Sequence, residues 1–150
     1  MSARQLHNET LPTTNANPPA AVAAARKAVV EADGVWIFSP GYNYSYPGVL
    51  KNLLDWLSRP LEPFPAKSTS VMVGKKVALS AAASQSVGAG TLAKLNEVLG
   101  FGKTELLPTD KQVGVALAPE AWGTGKLTLS DEDEARLAAE ADVFLALVAE

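Results

Sequence analysis

Cysteine is missing altogether from this 150-residue chain, and histidine occurs once, at His7. The first absence excludes disulfides and thiolate nucleophiles, and the two together exclude Cys/His zinc sites. A Ser-His-Asp triad would have to be built on His7, which stands in a polar terminal stretch away from any strand or helix pattern. Any catalysis is therefore expected to be carried by a cofactor. Basic runs are also missing. Thirteen Lys and Arg face 16 Asp and Glu, and only Arg26-Lys27 and Lys75-Lys76 are adjacent, so no nucleic-acid partner is expected. The longest apolar runs, such as Val143 to Ala149, are too short to span a bilayer. The opening stretch MSARQLHNETLPTTNANPP has no apolar core of the kind a signal peptide needs, so the expected location is cytoplasmic, with no membrane partner.

What is present suits a globular domain: 47% of residues are apolar and 19% charged. The length is that of one ordinary domain, and we read residues 1–17 as a polar N-terminal segment and 18–150 as a single domain. Asn17 can cap a helix that Pro18-Pro19 opens and Gly34 closes, with Val22, Ala25, Val29 and Ala32 on its apolar stripe. Val35 to Phe38 reads as a strand buried on both faces. A second helix begins at Pro47, buries Val49, Leu50, Leu53, Leu54 and Leu57, and stops before Pro60. Pro60 to Gly74 has no sustained period and reads as a linker. Lys76 to Ser80 reads as a buried strand, followed by the small-residue loop AAASQSVGAG and the helix TLAKLNEVLG. Glu105–Leu107 and Val113–Leu117 are short strand candidates, of which only one need lie in the main sheet. Ser130 caps a last helix whose core face is expected to be Leu137, Ala141, Phe144, Leu145 and Val148.

Strands alternating with helices imply an α/β fold: a parallel sheet with helices on both faces. Ligands of such sheets bind beyond the carboxyl ends of the strands. Two loops leave those ends. The first, within SPGYNYSYPGVLKNLLDW, holds every tyrosine of the chain. Tyr42 and Tyr44 offer flat faces with a hydroxyl at the tip, and Asn43 and Ser45 add uncharged donors and acceptors. The second, from Ser80 to Gly90, offers Ser80, Ser84, Gln85 and Ser86, with Gly88 and Gly90 permitting close backbone approach. Such loops suit a neutral aromatic ligand better than a metal. The same residue types also build plain connectors, and composition alone leaves both readings open. Trp36, Trp56 and Trp122 are expected in core or interface packing.

The stretch SPGYNYSYPGVLKNLLDWLSRP resembles the NADPH-dependent FMN reductase family, whose pattern is Pro-Glu-Tyr-Asn-x-Ser-x-Pro-Gly-x-Leu-Lys-Asn-x-x-Asp-Trp. Looser likeness extends from about Leu11-Pro12 to the C-terminus. The resemblance implies a flavodoxin-like sheet, FMN and NADPH as cofactors, and hydride passed through the flavin to a small acceptor such as a quinone or chromate. No side chain need act as acid or base. Carried over by position, Pro40, Gly41, Tyr42, Asn43, Tyr44 and Ser45 would border the flavin from one side. Ser80, Ser84, Gly88 and Gly90 would approach it from the other. The helix at 47–57 would pack on a partner subunit, giving a homodimer and accounting for Lys51, Asn52, Asp55 and Trp56.

This chain departs from the family pattern twice. Gly41 stands where the family has glutamate. The family's first strand and its Gly-Ser-x-Arg-x-x-Ser phosphate loop have no counterpart in this sequence, in which Arg4 to His7 could be a remnant of the second strand. The expected fold therefore lacks its first strand-helix unit, leaving the strand at 35–38 with an open edge. The alternative is a degenerate or truncated domain that binds no flavin and serves only in subunit association.

Overall fold

The computed structural model describes residues 18–61 and 69–150. The expectations for residues 1–17, the Asn17 cap and His7 among them, and for the middle of the 60–74 linker lie outside the described residues, as does the Trp122 side chain. In chain order the elements are α1 (Ala20–Glu31), β1 (Gly34–Pro40), α2 (Gly48–Leu57), β2 (Lys76–Ala83), α3 (Ala89–Phe101), β3 (Glu105–Leu106), a 3-10 turn at Thr109–Lys111, β4 (Val113–Ala116), α4 (Pro119–Thr124) and α5 (Asp131–Ala149).

The sheet is wholly parallel and centred on β2. β1 pairs along one side of β2, from Gly34 opposite Lys76 to Pro40 opposite Ala82. The other side is shared. β3 pairs with Lys76 and Val77, then β4 pairs with Ser80 to Ala83, so both short strands expected from the sequence enter the sheet and together fill one position. Among the described residues no strand pairs with the outer edge of β1.

Alternation along β2 sorts the core into two layers. Val77 and Leu79, both fully buried, face α1, α2 and α3, where Leu54, Leu57, Leu95 and Leu99 complete the larger cluster. Val71 and Met72, at the end of the expected linker, are buried in the same cluster; the apolar run there, Val71 to Val73, is too short to carry a period. On the opposite face Ala78 and Leu107 meet Phe144 of α5, with Trp36, Leu147 and Val148 at the margin. Trp36 and Phe38 of β1 stack on that face with ring centroids 4.9 Å apart, and Phe38 is 65% exposed.

Several expected boundaries are corrected. α1 ends at Glu31 and Gly34 is already strand. The glycine there serves packing, since a Cβ would lie 2.7 Å from both Phe144 and Val148. β2 runs on through Ala83 because Ala81 to Ala83 have β4 as ladder partner, which confines the following turn to residues 84–88. Trp56 is 7% exposed and belongs to this chain's own core rather than to a partner-facing surface. On α5 the inward residues are Glu140 and Phe144, while Leu145 is 65% exposed. Leu145 sits about 100° around the helix from Phe144, which turns it off the sheet-facing line. Ser130 caps α5 as expected, accepting from the Asp133 amide at 3.1 Å.

Candidate functional site

The two loops singled out by sequence meet at the carboxyl ends of β1 and β2, and backbone bonds join them. Past Pro40 the Gly41 amide donates to the Ala82 carbonyl at 2.7 Å, continuing the β1–β2 ladder by one bond. The chain then reverses over Tyr42–Ser45: the Tyr42 amide donates to the Ser45 carbonyl at 2.8 Å and the Ser45 amide to the Tyr42 carbonyl at 3.0 Å. Both central residues are left-handed, Asn43 at φ 50° and Tyr44 at φ 62°, as in a type I′ turn. Asparagine tolerates that conformation, but a tyrosine there costs about 1 kcal/mol, so surrounding contacts must hold it.

Those contacts come from α3. The Thr91 hydroxyl, on a residue 1% exposed, donates to the Ser45 carbonyl at 2.9 Å. The Tyr44 ring lies over Gly90, where a Cβ would come within 2.5 Å of it. Gly41 is as constrained: a Cβ would stand 2.8 Å from the Ala83 Cβ and 3.0 Å from the Thr91 hydroxyl. The place of the family's glutamate is thus one where this chain has closed the space against β2 and α3.

The 84–88 turn forms the facing wall. Val87 (φ 50°) and Gly88 (φ 74°) are consecutive left-handed residues. A Cβ on Gly88 would stand 2.6 Å from that of Ala81, and one on Gly114 of β4 would collide with the Val87 carbonyl. The turn is thereby folded down onto the ends of β2 and β4. Pro40, Tyr42, Asn43, Tyr44 and Ser84 are exposed at this rim, Ser45 is half-buried, and Gly41, Gly88 and Gly90 line it from beneath.

The expectation for Ser80 is corrected. It lies within β2 and is 4% exposed, its side chain turned to α5. Its hydroxyl accepts from the Trp36 indole N–H at 2.8 Å and donates to Glu140 Oε2 at 2.8 Å. β2 runs three residues further than expected, which takes Ser80 off the rim, and strand alternation puts it with Ala78 on the face of α5. Sequence reasoning missed Thr91, Val87 and Gly114. A glycine inside a strand pattern marks close backbone approach, and Gly114 carried that signal; Thr91 and Val87 had none.

Burial raises the Tyr46 phenol, and the hydrogen bond to Asp55 raises the Lys51 ammonium. Among the described residues no cluster of three or more His, Cys, Asp or Glu could hold a metal. None of their helices is long and apolar enough to cross a membrane. A cavity of about 450 Å³ lies elsewhere, between the carboxyl-terminal halves of α2 and α3, lined by Leu54, Asp55, Met72, Val98 and Phe101. It is most of the length of α3 away from the loops.

A parallel sheet with three helices on one face, and two loops joined by backbone bonds at its strand ends, defines a flavodoxin-like α/β protein. The model of the NADPH-dependent FMN reductase family matches residues 3–118, and the chain belongs to that family. A quinone reductase of Escherichia coli (strain K12) is 54% identical over 50 residues, 33% of this chain and 27% of that one. An NAD(P)H:quinone oxidoreductase of Solanum tuberosum is 43% identical over 58 residues, covering 39% and 30% of the two chains. The match thus spans less than a third of either relative. The flavoenzyme NAD(P)H:(acceptor) oxidoreductase FerB of Paracoccus denitrificans superposes with a TM-score of 0.68 at 26% identity. That superposition covers 95% of this chain and 78% of that one.

Proposed function

We propose that this chain forms the ring-binding side of a flavin-dependent NAD(P)H oxidoreductase acting on small acceptors of the quinone class. The observation that carries the reading is the locked pair of loops. A strained Tyr42–Ser45 turn is held by Thr91 and Gly90 against a second left-handed turn, at the strand ends where such sheets take their ligands. Geometry of this cost is kept where a ligand needs it.

The residues fit an isoalloxazine ring. Tyr42 and Tyr44, 60% and 69% exposed, give flat faces, and Asn43 with the backbone of Gly41 gives neutral hydrogen-bonding groups. Gly88 and Gly90 keep the floor of the crevice low, and Ser84 stands at its far rim. Bound FMN would supply the hydride chemistry between NADPH and the acceptor. The protein's part is to orient the ring and exclude water, and no side chain here is asked to move a proton. A phosphate-binding loop is not among the described residues, which are read here as holding the ring.

We also propose that copies associate through α2, where Val49, expected to be buried, is 73% exposed at the first turn, and where the Lys51–Asp55 pair stands on another side beside the 450 Å³ cavity. The protein is proposed to work in the cytoplasm as a single domain over 18–150. Titration of purified protein with FMN, followed by quenching of flavin fluorescence, tests the main reading. Saturable quenching that Asn43→Ala weakens supports it. No quenching and no thermal shift at excess FMN would leave association through α2 as the function, since a ligand that binds the native state must raise its stability.

A further inference from the structure

The side of the sheet away from the crevice's helices holds a group that flavin chemistry does not use. Glu140, in the middle of α5, is 2% exposed. It sits over a break in the sheet. β3 ends opposite Val77 and β4 begins opposite Ser80, so Ala78 and Leu79 have no register partner on that side. The carbonyl of Leu107, next in line, is taken instead by the Gln112 side chain at 2.8 Å. Glu140 Oε2 accepts the Ser80 hydroxyl, which in turn accepts the Trp36 indole N–H, so one hydrogen-bonded chain runs from α5 across β2 to β1. Oε1 has no hydrogen-bond partner.

We propose that Glu140 is a proton-binding latch: holding a proton it seats α5 on the sheet across the strand break, and losing that proton to solvent loosens α5.

The oxygen inventory gives the reason. Oε2 is engaged as an acceptor, so a neutral carboxyl carries its proton on Oε1. Ionisation would leave an anionic oxygen there whose nearest donors, the backbone at Val113 and Leu79, make no full hydrogen bond to it, in a layer made of Phe144, Leu107 and Ala78. The groups facing it offer little relief. On α5, Arg136 lies one turn away, already paired with Asp133 at 3.0 Å and half in solvent. β1 contributes Trp36 and β4 the backbone at Val113. Lys76 of β2 and Glu105 of β3, register partners, lie at the far end of those strands. Burial accordingly raises Glu140 from 4.5 to about 7. The Ser80 hydroxyl, the backbone at Val113 and Leu79, and the Arg136 charge pull the other way and are outweighed. Because the native value lies above the unfolded one, the stabilisation is fully present below about pH 4.5 and is lost as pH rises through about 7.

Two measurements on the full chain test this, and neither needs flavin, so its failure is distinct from failure of the proposed function. The first is urea unfolding from pH 5 to 8 for the wild type and for Glu140→Gln, an isostere of the neutral acid. The folding equilibrium constant of the wild type should fall by about a hundredfold across that range. That of E140Q should stay within about threefold. The second follows the Trp36 indole N–H resonance, assigned by its loss in Trp36→Phe, through the same pH range in the native wild type. It should titrate near pH 7. Parallel stability curves for the two proteins, or an indole resonance that does not move, would overturn the proposal. Should E140Q not fold, the wild-type resonance decides alone.

Discussion

Gly114→Ala is the sharpest perturbation the crevice offers. The added methyl group would collide with the Val87 carbonyl oxygen, a backbone atom, so no side-chain rotation relieves it. The carbonyl must retreat by more than an ångström to regain ordinary contact. It has little room to slide, because Gly88 is pressed against Ala81 and the Ala89 amide is tied to the Ser86 carbonyl at 2.8 Å. The turn must lift off the ends of β2 and β4, and overpacking of this kind costs about 1–3 kcal/mol. At the middle of that range the melting temperature should fall by about 4–8 °C for a chain of this size. The urea midpoint should move by about 1 M at a typical slope. Gly48→Ala is the matched control. Nothing lies within 4 Å of its added methyl, and it stands in the first turn of α2, so removing backbone freedom should stabilise by up to about 1 kcal/mol. A G114A protein within about 0.5 kcal/mol of wild type would refute the seating of the 84–88 turn on β4, and with it the floor of the proposed crevice.

Gly90→Ala sets a methyl within 2.6 Å of the root of the Tyr44 ring and pushes it off α3, so FMN affinity should drop, and the helix-propensity gain of up to about 1 kcal/mol should be offset by loosening of the Tyr42–Ser45 turn; flavin titration and urea unfolding of the same preparation read both. Thr91→Val removes the hydroxyl that holds the Ser45 carbonyl, and should cost about 1–2 kcal/mol of stability together with weaker FMN binding; unchanged binding would show that the Tyr42–Ser45 turn stands without it. Leu79→Ala, at a residue with no exposure, should cost about 2–5 kcal/mol in urea unfolding. If copies associate through α2, Val49→Asp should shift the sedimenting species toward monomer and leave the melting profile of the monomer unaltered.

The parallel architecture was legible because buried strands and amphipathic helices write long apolar runs, and β1, α2, β2 and α3 all carry them. The positions of the two loops followed from the same pattern, since Pro40 and Gly88 interrupt it. What the runs could not give is where a strand of small residues stops. Ala81 to Ala83 read as loop because three alanines have no strand preference of their own, and pairing with β1 and β4 makes them strand. That extension of three residues takes Ser80 off the strand end, and alternation with Ala78 sets it on the face of α5. Likewise Gly41, which reads as a lost glutamate when compared with the family pattern, is explained by Ala83 and Thr91, neighbours that no local signal announces.

Ser80 and Glu140 show how such misreadings could be caught. A serine inside a buried-strand pattern and a glutamate on the inner line of an apolar helix are each small violations of patterning. Taken singly, each invites reassignment: Ser80 to a loop, Glu140 to the solvent side, with Leu145 promoted to the core in its place. The helical period argues against the second move. Glu140 and Phe144 are one turn apart on a single line, and Leu145 is not on it. Once Glu140 must face the sheet, a buried carboxyl needs a donor, and the one hydroxyl on the facing strand is that of Ser80. Two polar residues that break the pattern on elements packed face to face are therefore evidence for each other. A fold assembled with that pairing imposed would have turned Ser80 toward α5 instead of the crevice and set α5 in its correct rotation.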